Sequence, residues 1–326
     1  MIKKLNMIKA GVVGVGHLGS IHLKLLTESP YFDVVGCFDN NSKIKDSLNI
    51  DVQFFENINN LIEKCEAIFI CSVTPTHFKI AKLCLEKNKH VFIEKPITNK
   101  VDQAEILVNL IKEKDLIGQI GHVERFNPAL TTVYDTINNP KFIECHRLAQ
   151  FNPRGNDVSV VLDLMIHDID VVLKIVNSGV KKVDANGVCV ISNTPDITNA
   201  RVEFKNGCVA NFTASRISLK NMRKSRFFQN DAYIAVDFFE KKSEVVKISN
   251  FKGDDNYAML IENAEGIKKQ IYYTNPEPKS VNAIVEEHND FAYSIKNNSI
   301  PMVSFEDGLK ALKLATQIID KANENS

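Results

Sequence analysis

The chain has 326 residues, 44% of them hydrophobic, enough to bury large cores and to form two domains. Its 40 basic and 40 acidic residues cancel, which argues against nucleic acid or an anionic membrane as a partner. No run approaches the roughly 18 apolar residues of a membrane span, and the short Gly-rich stretch after Met1-Ile2-Lys3-Lys4 runs on into a strand rather than forming a signal peptide.

From residue 7 to about 121, short apolar runs alternate with helical patterns. Strands are expected at 10–15, 34–38, 52–55, 67–72, 91–94 and 116–121, with helices at 18–26, 57–64, 75–87 and 101–114. Buried, non-alternating strands separated by helices indicate a parallel sheet covered on both faces. The first strand runs into Gly14-Val15-Gly16-His17-Leu18-Gly19 and then a helix. Glycines in this spacing turn a strand tightly into a helix and bring backbone amides, with the helix dipole, against a pyrophosphate. Asp39 follows 20 residues after Gly19, at the end of the next apolar run, where a carboxylate meets the ribose of NAD. Pro75 suits a first helical turn, with Thr74 as its cap. Lys95, in Glu94-Lys95-Pro96, places a cation at the carboxyl end of a later strand, where ligands of open α/β sheets sit.

After Phe126-Asn127-Pro128 the rhythm changes. A long helix is expected from Val158 to Val176, stopped by Gly179, followed by strands at 183–192, 200–204, 208–215, 232–238, 244–248 and 270–274. Asn206-Gly207 is a hairpin signal, and the alternation around it indicates an antiparallel sheet. Helices at 281–296 and 306–323 close the chain. The fold class is therefore α/β: a Rossmann domain with a parallel sheet, then an α+β domain with a large, mostly antiparallel open sheet. The expected boundaries are 1–122 for dinucleotide binding and 123–326 for substrate binding and oligomerisation, with the C-terminal helix free to pack back on the first domain.

The long helix carries Asp163 and His167 four residues apart, hence on one α-helical face, with Asp168 about 100° away. A carboxylate one turn from an imidazole fixes its tautomer and suits it to accept a proton near neutral pH. A surface Asp–His pair is the plainer reading, but Val160, Val161, Leu164, Ile166 and Ile169 make the helix apolar on most sides, and buried charges need a reason. No metal is expected, because the other histidines show no matching ligand spacing; His77, His122, His146 and His288 are isolated. His17 contributes its backbone to the glycine loop rather than its ring. The segment from Arg216 to Arg226 holds five cations and no acid. A solvated face is the plain reading; a cluster beside a sheet could instead hold an anionic group, such as a diphosphate, with Arg125, Arg154, Arg216 and Arg223 as candidates. The seven cysteines form no C-x-x-C pair and lie mostly in apolar runs, as small core residues of a reducing cytoplasm would.

The glycine loop, Asp39, Glu94-Lys95-Pro96 and Asp163-x-x-x-His167, in this order and spacing, resemble the Gfo/Idh/MocA oxidoreductases over essentially the whole chain. The resemblance implies a catalytic set of Lys95, Asp163 and His167 beside a nicotinamide. It also implies a cofactor-lining segment of Ser72, Thr74, Pro75 and His77, a cofactor-contacting Glu94, and a homodimer or homotetramer formed through the C-terminal sheet. Met165 stands where the family's common D-x-G-x-H has glycine. The segments 121–128, 163–170 and 213–216 are most similar to the subgroup acting on nucleotide sugars, including UDP-N-acetylglucosamine 3-dehydrogenases. The expected function is NAD-dependent oxidation of a secondary sugar hydroxyl, with NADP the lesser cofactor and the base either His167 or Lys95. The alternatives are an NAD-dependent glycoside hydrolase of the same fold and a non-catalytic nucleotide-binding sensor.

Overall fold

The computed structural model describes residues 7–48, 50–152, 158–251, 253 and 259–324. The chain forms two compact units, one of Met1–Val123 with Val281–Lys313, the other of Glu124–Ser280 with Leu314–Ser326.

The first unit begins β1 (Ile8–Val13), α1 (His17–Thr27), β2 (Phe32–Phe38), α2 (Ile58–Lys64), β3 (Ala67–Ile70), α3 (Thr74–Glu86), β4 (His90–Glu94), α4 (Val101–Glu113) and β5 (Gly118–Gly121). Its five strands are all parallel, in the order β2-β1-β3-β4-β5. The chain reverses direction across the sheet between β1 and β3, which makes the crevice beyond their carboxyl ends the natural ligand position. The segment 52–55, expected as a strand, supplies only a bridge from Phe54 to Cys37 at the β2 edge. Helices match their expected positions, but Thr74 is the first residue of α3 rather than its cap; Val73 takes the cap position without a side-chain bond.

The second unit contains α5 (Pro128–Val133), β6 (Phe142–Leu148), a π turn (Val161–Met165), α6 (Ile166–Val176) and β7 (Val180–Val188). Then follow β8 (Ile197–Phe204), β9 (Val209–Ser215), β10 (Met222–Phe228), β11 (Ala232–Asp237), β12 (Lys242–Asn250), β13 (Met259–Glu262) and β14 (Lys268–Thr274). The nine strands run β13-β14-β12-β11-β10-β6-β9-β8-β7, antiparallel except for the parallel β6–β9 pair. Gly207, at φ 85°, makes the expected turn between β8 and β9. β10 is the correction: the second half of the run of cations, with Arg223, Lys224 and Arg226, is an internal strand, paired with β6 and β11. Its period-2 pattern is real, with Ser225 and Phe227 buried on one face. The cations obscure it in the sequence because their counter-charges come from elsewhere: Lys224 meets Asp237 at 3.0 Å and Arg226 meets Glu144 at 3.6 Å.

Two helices, α7 (Ala283–Asn297) and α8 (Phe305–Glu324), end the described chain. The sequence-based boundary put α7 in the second domain, whereas it belongs to the first unit. The reason is apolar: Phe291 and Ala292 are buried in one cluster with Ala10, Val12, Leu23, Phe32, Phe69 and Phe92. Phe291 meets Phe69 edge-on at 5.5 Å, a geometry that adds about 0.5–1.5 kcal/mol to the area buried. Among the described residues no helix is long and apolar enough to cross a membrane. All seven cysteines are free.

Candidate active site

The glycine loop is built by close approach. Gly14, at φ 85°, lies so near β3's end that a Cβ there would stand 2.5 Å from the Ser72 backbone. A Cβ on Gly19 would stand 1.9 Å from the Gly14 carbonyl oxygen, so helix and turn close only with glycine. Gly16 caps α1 and is the contrast: a Cβ there meets nothing within 4 Å. The second glycine of the loop thus opens onto space at a helix N-terminus, a fit for a ligand phosphate approaching the backbone. His17 and Leu18 form the first turn of α1 beside it.

That space is a cavity of about 210 Å³ lined by Val13, Gly14, Gly16, Phe38, Asp39, Asn40, Cys71, Ser72, Val73, Thr76 and Ile80. Asp39 holds the loop in shape: Oδ2 accepts from the Val15 amide at 2.9 Å, and Oδ1 accepts from the Asn41 amide at 2.9 Å. Each oxygen keeps a second lone pair. Across the cavity, the Ser72 and Thr76 hydroxyls share a 2.7 Å bond, and Thr76 Oγ1 also lies 2.7 Å from the Val73 carbonyl. The loop, Asp39 and Ser72 are therefore brought together; Thr74, Pro75 and His77, on the first turn of α3, do not line the cavity.

His77 is buried between two carbonyl oxygens, Nε2 2.8 Å from Ser72 and Nδ1 2.9 Å from Pro96. It ties the cavity wall to the segment holding Lys95. Burial lowers its pKa against the pull of those carbonyls, which favour a proton on each ring nitrogen. Glu94, at the end of β4, is also inward-facing. Its Oε1 accepts from His22 Nε2 at 2.9 Å and its Oε2 from the Lys95 amide at 3.1 Å. Burial raises its pKa, but the His22 bond and the Lys95 charge outweigh that, leaving the carboxyl below its usual range. Lys95 follows directly, joined to Pro96 by a cis peptide bond.

In the second unit, Asp163 and His167 lie where the π turn passes into α6, with Asp163 exposed and His167 half-buried. The continuous α-helix expected there is thus corrected: Val161–Met165 is a wider turn, of the kind that π-bulges contribute at functional sites. The neighbouring acids anchor this helix. Asp168 receives both Arg147 Nη2 at 2.8 Å and Nε at 3.1 Å, while Arg147 Nη1 donates to Glu124 at 2.8 Å. Two carboxylates push the Arg147 pKa further up, outweighing burial. Asp170 receives Arg125 through Nε at 2.6 Å and Nη2 at 2.7 Å. Nothing in the local sequence paired these residues, because the partners lie 21 to 45 positions apart.

This rewrites the four arginines expected to bind an anion. Arg125 is buried and committed to Asp170. Arg216 is also buried, donating from Nη2 to the Val158 carbonyl at 2.9 Å and lying 3.6 Å from Asp196. Both guanidinium groups serve the fold, so neither is available to a diphosphate. Arg154 lies outside the described residues. Arg223 keeps half its side chain exposed, 3.9 Å from Glu124 and over the Phe239 ring.

A glycine-loop cavity at the switch point of a parallel sheet, with a lysine at a strand end, defines a dinucleotide-dependent oxidoreductase. Residues 8–122 match the oxidoreductase family with an NAD-binding Rossmann fold, and residues 118–233 match the GFO/IDH/MocA C-terminal domain. The chain belongs to the Gfo/Idh/MocA oxidoreductase family. It is 33% identical to UDP-N-acetylglucosamine 3-dehydrogenase of Acidithiobacillus ferrooxidans, over 71% of this chain and 74% of that protein. The solved structure of that dehydrogenase superposes with a TM-score of 0.88 over 98% of both chains at 27% identity. Myo-inositol 2-dehydrogenase of Thermotoga maritima is 24% identical over 94% of each chain.

Proposed function

We propose that this chain is an NAD-dependent dehydrogenase that oxidises a secondary hydroxyl of a nucleotide sugar, with the 3-hydroxyl of UDP-N-acetylglucosamine as its substrate group. The observation that carries the substrate is the full-length likeness to the Acidithiobacillus enzyme. The glycine loop, the first turn of α1 and Asp39 would hold NAD, the backbone amides serving its phosphates and the carboxylate its ribose. Bound there, it supplies the hydride acceptor. Lys95 hydrogen-bonds the reacting oxygen and stabilises the negative charge that develops on it. His167 takes the hydroxyl proton, and Asp163 orients its ring. Of the three described candidate arginines, Arg223 keeps its side chain half exposed and is the one left for the diphosphate.

NADH formation with UDP-N-acetylglucosamine, other nucleotide sugars, free hexoses and inositols tests the reading. Net NADH should accumulate with UDP-N-acetylglucosamine and not with free sugars. Activity confined to free polyols overturns the nucleotide-sugar assignment, and turnover without net NADH favours a hydrolase.

Cofactor choice is a separate outcome. The Asp39 carboxylate repels a 2′-phosphate, and Asn40, Asn41 and Ser42 bring no arginine to meet one. NAD should bind at least about tenfold tighter than NADP, a difference of about 1.4 kcal/mol. Fluorescence titration with both cofactors measures it; equal or tighter NADP binding removes the Asp39 argument.

A further inference from the structure

Beneath the glycine loop, three side chains from opposite ends of the sequence meet in the core of the first unit. His22 lies on α1, and Glu287 and His288 on α7; their exposures are 0%, 0% and 1%. One donor atom from each lies within 4.8 Å of the other two. His22 Nδ1 is 2.8 Å from His288 Nε2. The surrounding wall is aromatic: Phe69 stands edge-on to His288 at 5.2 Å, and Phe92 is 5.5 Å from His22.

Glu287 makes this cluster more than a packed pair of histidines. Both its carboxylate oxygens are buried without a hydrogen-bond partner, as is His288 Nδ1. An unpartnered carboxylate in such a core is costly and demands an explanation. Glu94, the other carboxylate of this region, is satisfied by His22 Nε2 and the Lys95 amide. That bond also has a directional consequence. A carboxylate accepting from Nε2–H leaves the His22 Nδ1 lone pair pointing into the cluster, the carboxylate–histidine–metal arrangement of known sites.

We propose that His22, His288 and Glu287 bind a divalent transition-metal cation, with Zn²⁺ the best match for two imidazoles and one carboxylate and a water as the fourth ligand. Two nitrogens held by zinc at about 2.0–2.1 Å in a tetrahedron stand roughly 3.3 Å apart, so His22 and His288 separate by about half an ångström on binding. The ion answers the charge of Glu287 and staples α7 to α1 three residues beyond Gly19. Its role is structural, under the cofactor loop rather than at the reacting hydroxyl. Sequence spacing could not reveal the site, because 265 positions separate His22 from Glu287.

The buried position calls for loading during synthesis. Protein expressed in zinc-supplemented medium, gel-filtered and analysed by elemental mass spectrometry should carry close to one zinc per chain. Glu287→Gln, which keeps the side chain's shape, should lose it, with affinity falling at least the roughly 10–100-fold that removal of an outer-shell partner costs. Cobalt-grown protein provides the second readout, which needs no variant: the visible absorption of tetrahedrally bound Co²⁺ should appear in the wild-type protein. Zinc content equal in the wild type and Glu287→Gln, or wild-type protein with neither zinc nor the cobalt band, overturns the site; the second outcome leaves Glu287 as a buried protonated acid.

Discussion

Lys95→Ala and His167→Ala should each lower turnover by about 10²–10⁴ while leaving NAD affinity nearly unchanged. The separation follows from where the contacts lie. The proposed cofactor cradle is the cavity lined by the glycine loop, Asp39, Ser72 and Thr76, and neither residue lines it. Alanine at position 95 also keeps two bonds of the local scaffold. Glu94 is held by the backbone amide of residue 95, and His77 by the Pro96 carbonyl, so both bonds survive truncation of the lysine. The loss should therefore appear in kcat, with the NAD dissociation constant, followed by fluorescence, as the control. Near-normal turnover in both variants would remove these residues from the chemistry. Asp163→Asn should act more mildly and shift the pH profile, because its proposed task is to orient the imidazole rather than to exchange a proton.

What the sequence made legible was local. A strand, three spaced glycines, a helix and an acid 20 residues later are read within one βαβ unit, and its period is set by elements that touch each other. Asp39, read this way, and Ser72, taken from the family resemblance, both line the cavity, whereas Thr74, Pro75 and His77 from the same resemblance do not. The features that escaped are those whose partners are remote. β10 was hidden because Arg223, Lys224 and Arg226 look like a solvated run until Glu124, Asp237 and Glu144 are brought beside them. Arg125 and Arg216 looked available for an anion for the same reason; Asp170 and the Val158 carbonyl use their donors instead. Segment 52–55 has the residues of a strand, yet only a single bridge at the sheet edge makes use of them. α7 was placed by chain order, whereas its phenylalanine chose the unit.

Arg147→Ala should be the most destabilising single substitution proposed for the second unit, costing about 3–5 kcal/mol. The guanidinium is buried and closes two ion pairs at once, bidentate to Asp168 and single to Glu124. Truncation leaves Asp168 buried with no cation at bonding distance, and removal of one partner from a buried pair costs far more than the pair contributes when intact. Glu124 is cushioned, since Asn127 Nδ2 still donates to it at 2.8 Å. For a body of this size the fall in melting temperature should be roughly 6–20 °C, at about 2–4 °C per kcal/mol. Arg223→Ala is the matched control: that side chain is half exposed and 3.9 Å from the same Glu124, so it should cost no more than about 1 kcal/mol. Thermal and urea unfolding of both variants measure the difference, and similar stability of the two would show that burial does not set the value of Arg147. The substitution should also reach the chemistry. Asp168 directly follows His167, and without Arg147 the first turn of α6 keeps only the Asp170–Arg125 anchor, so folded Arg147→Ala protein should lose turnover as well as stability.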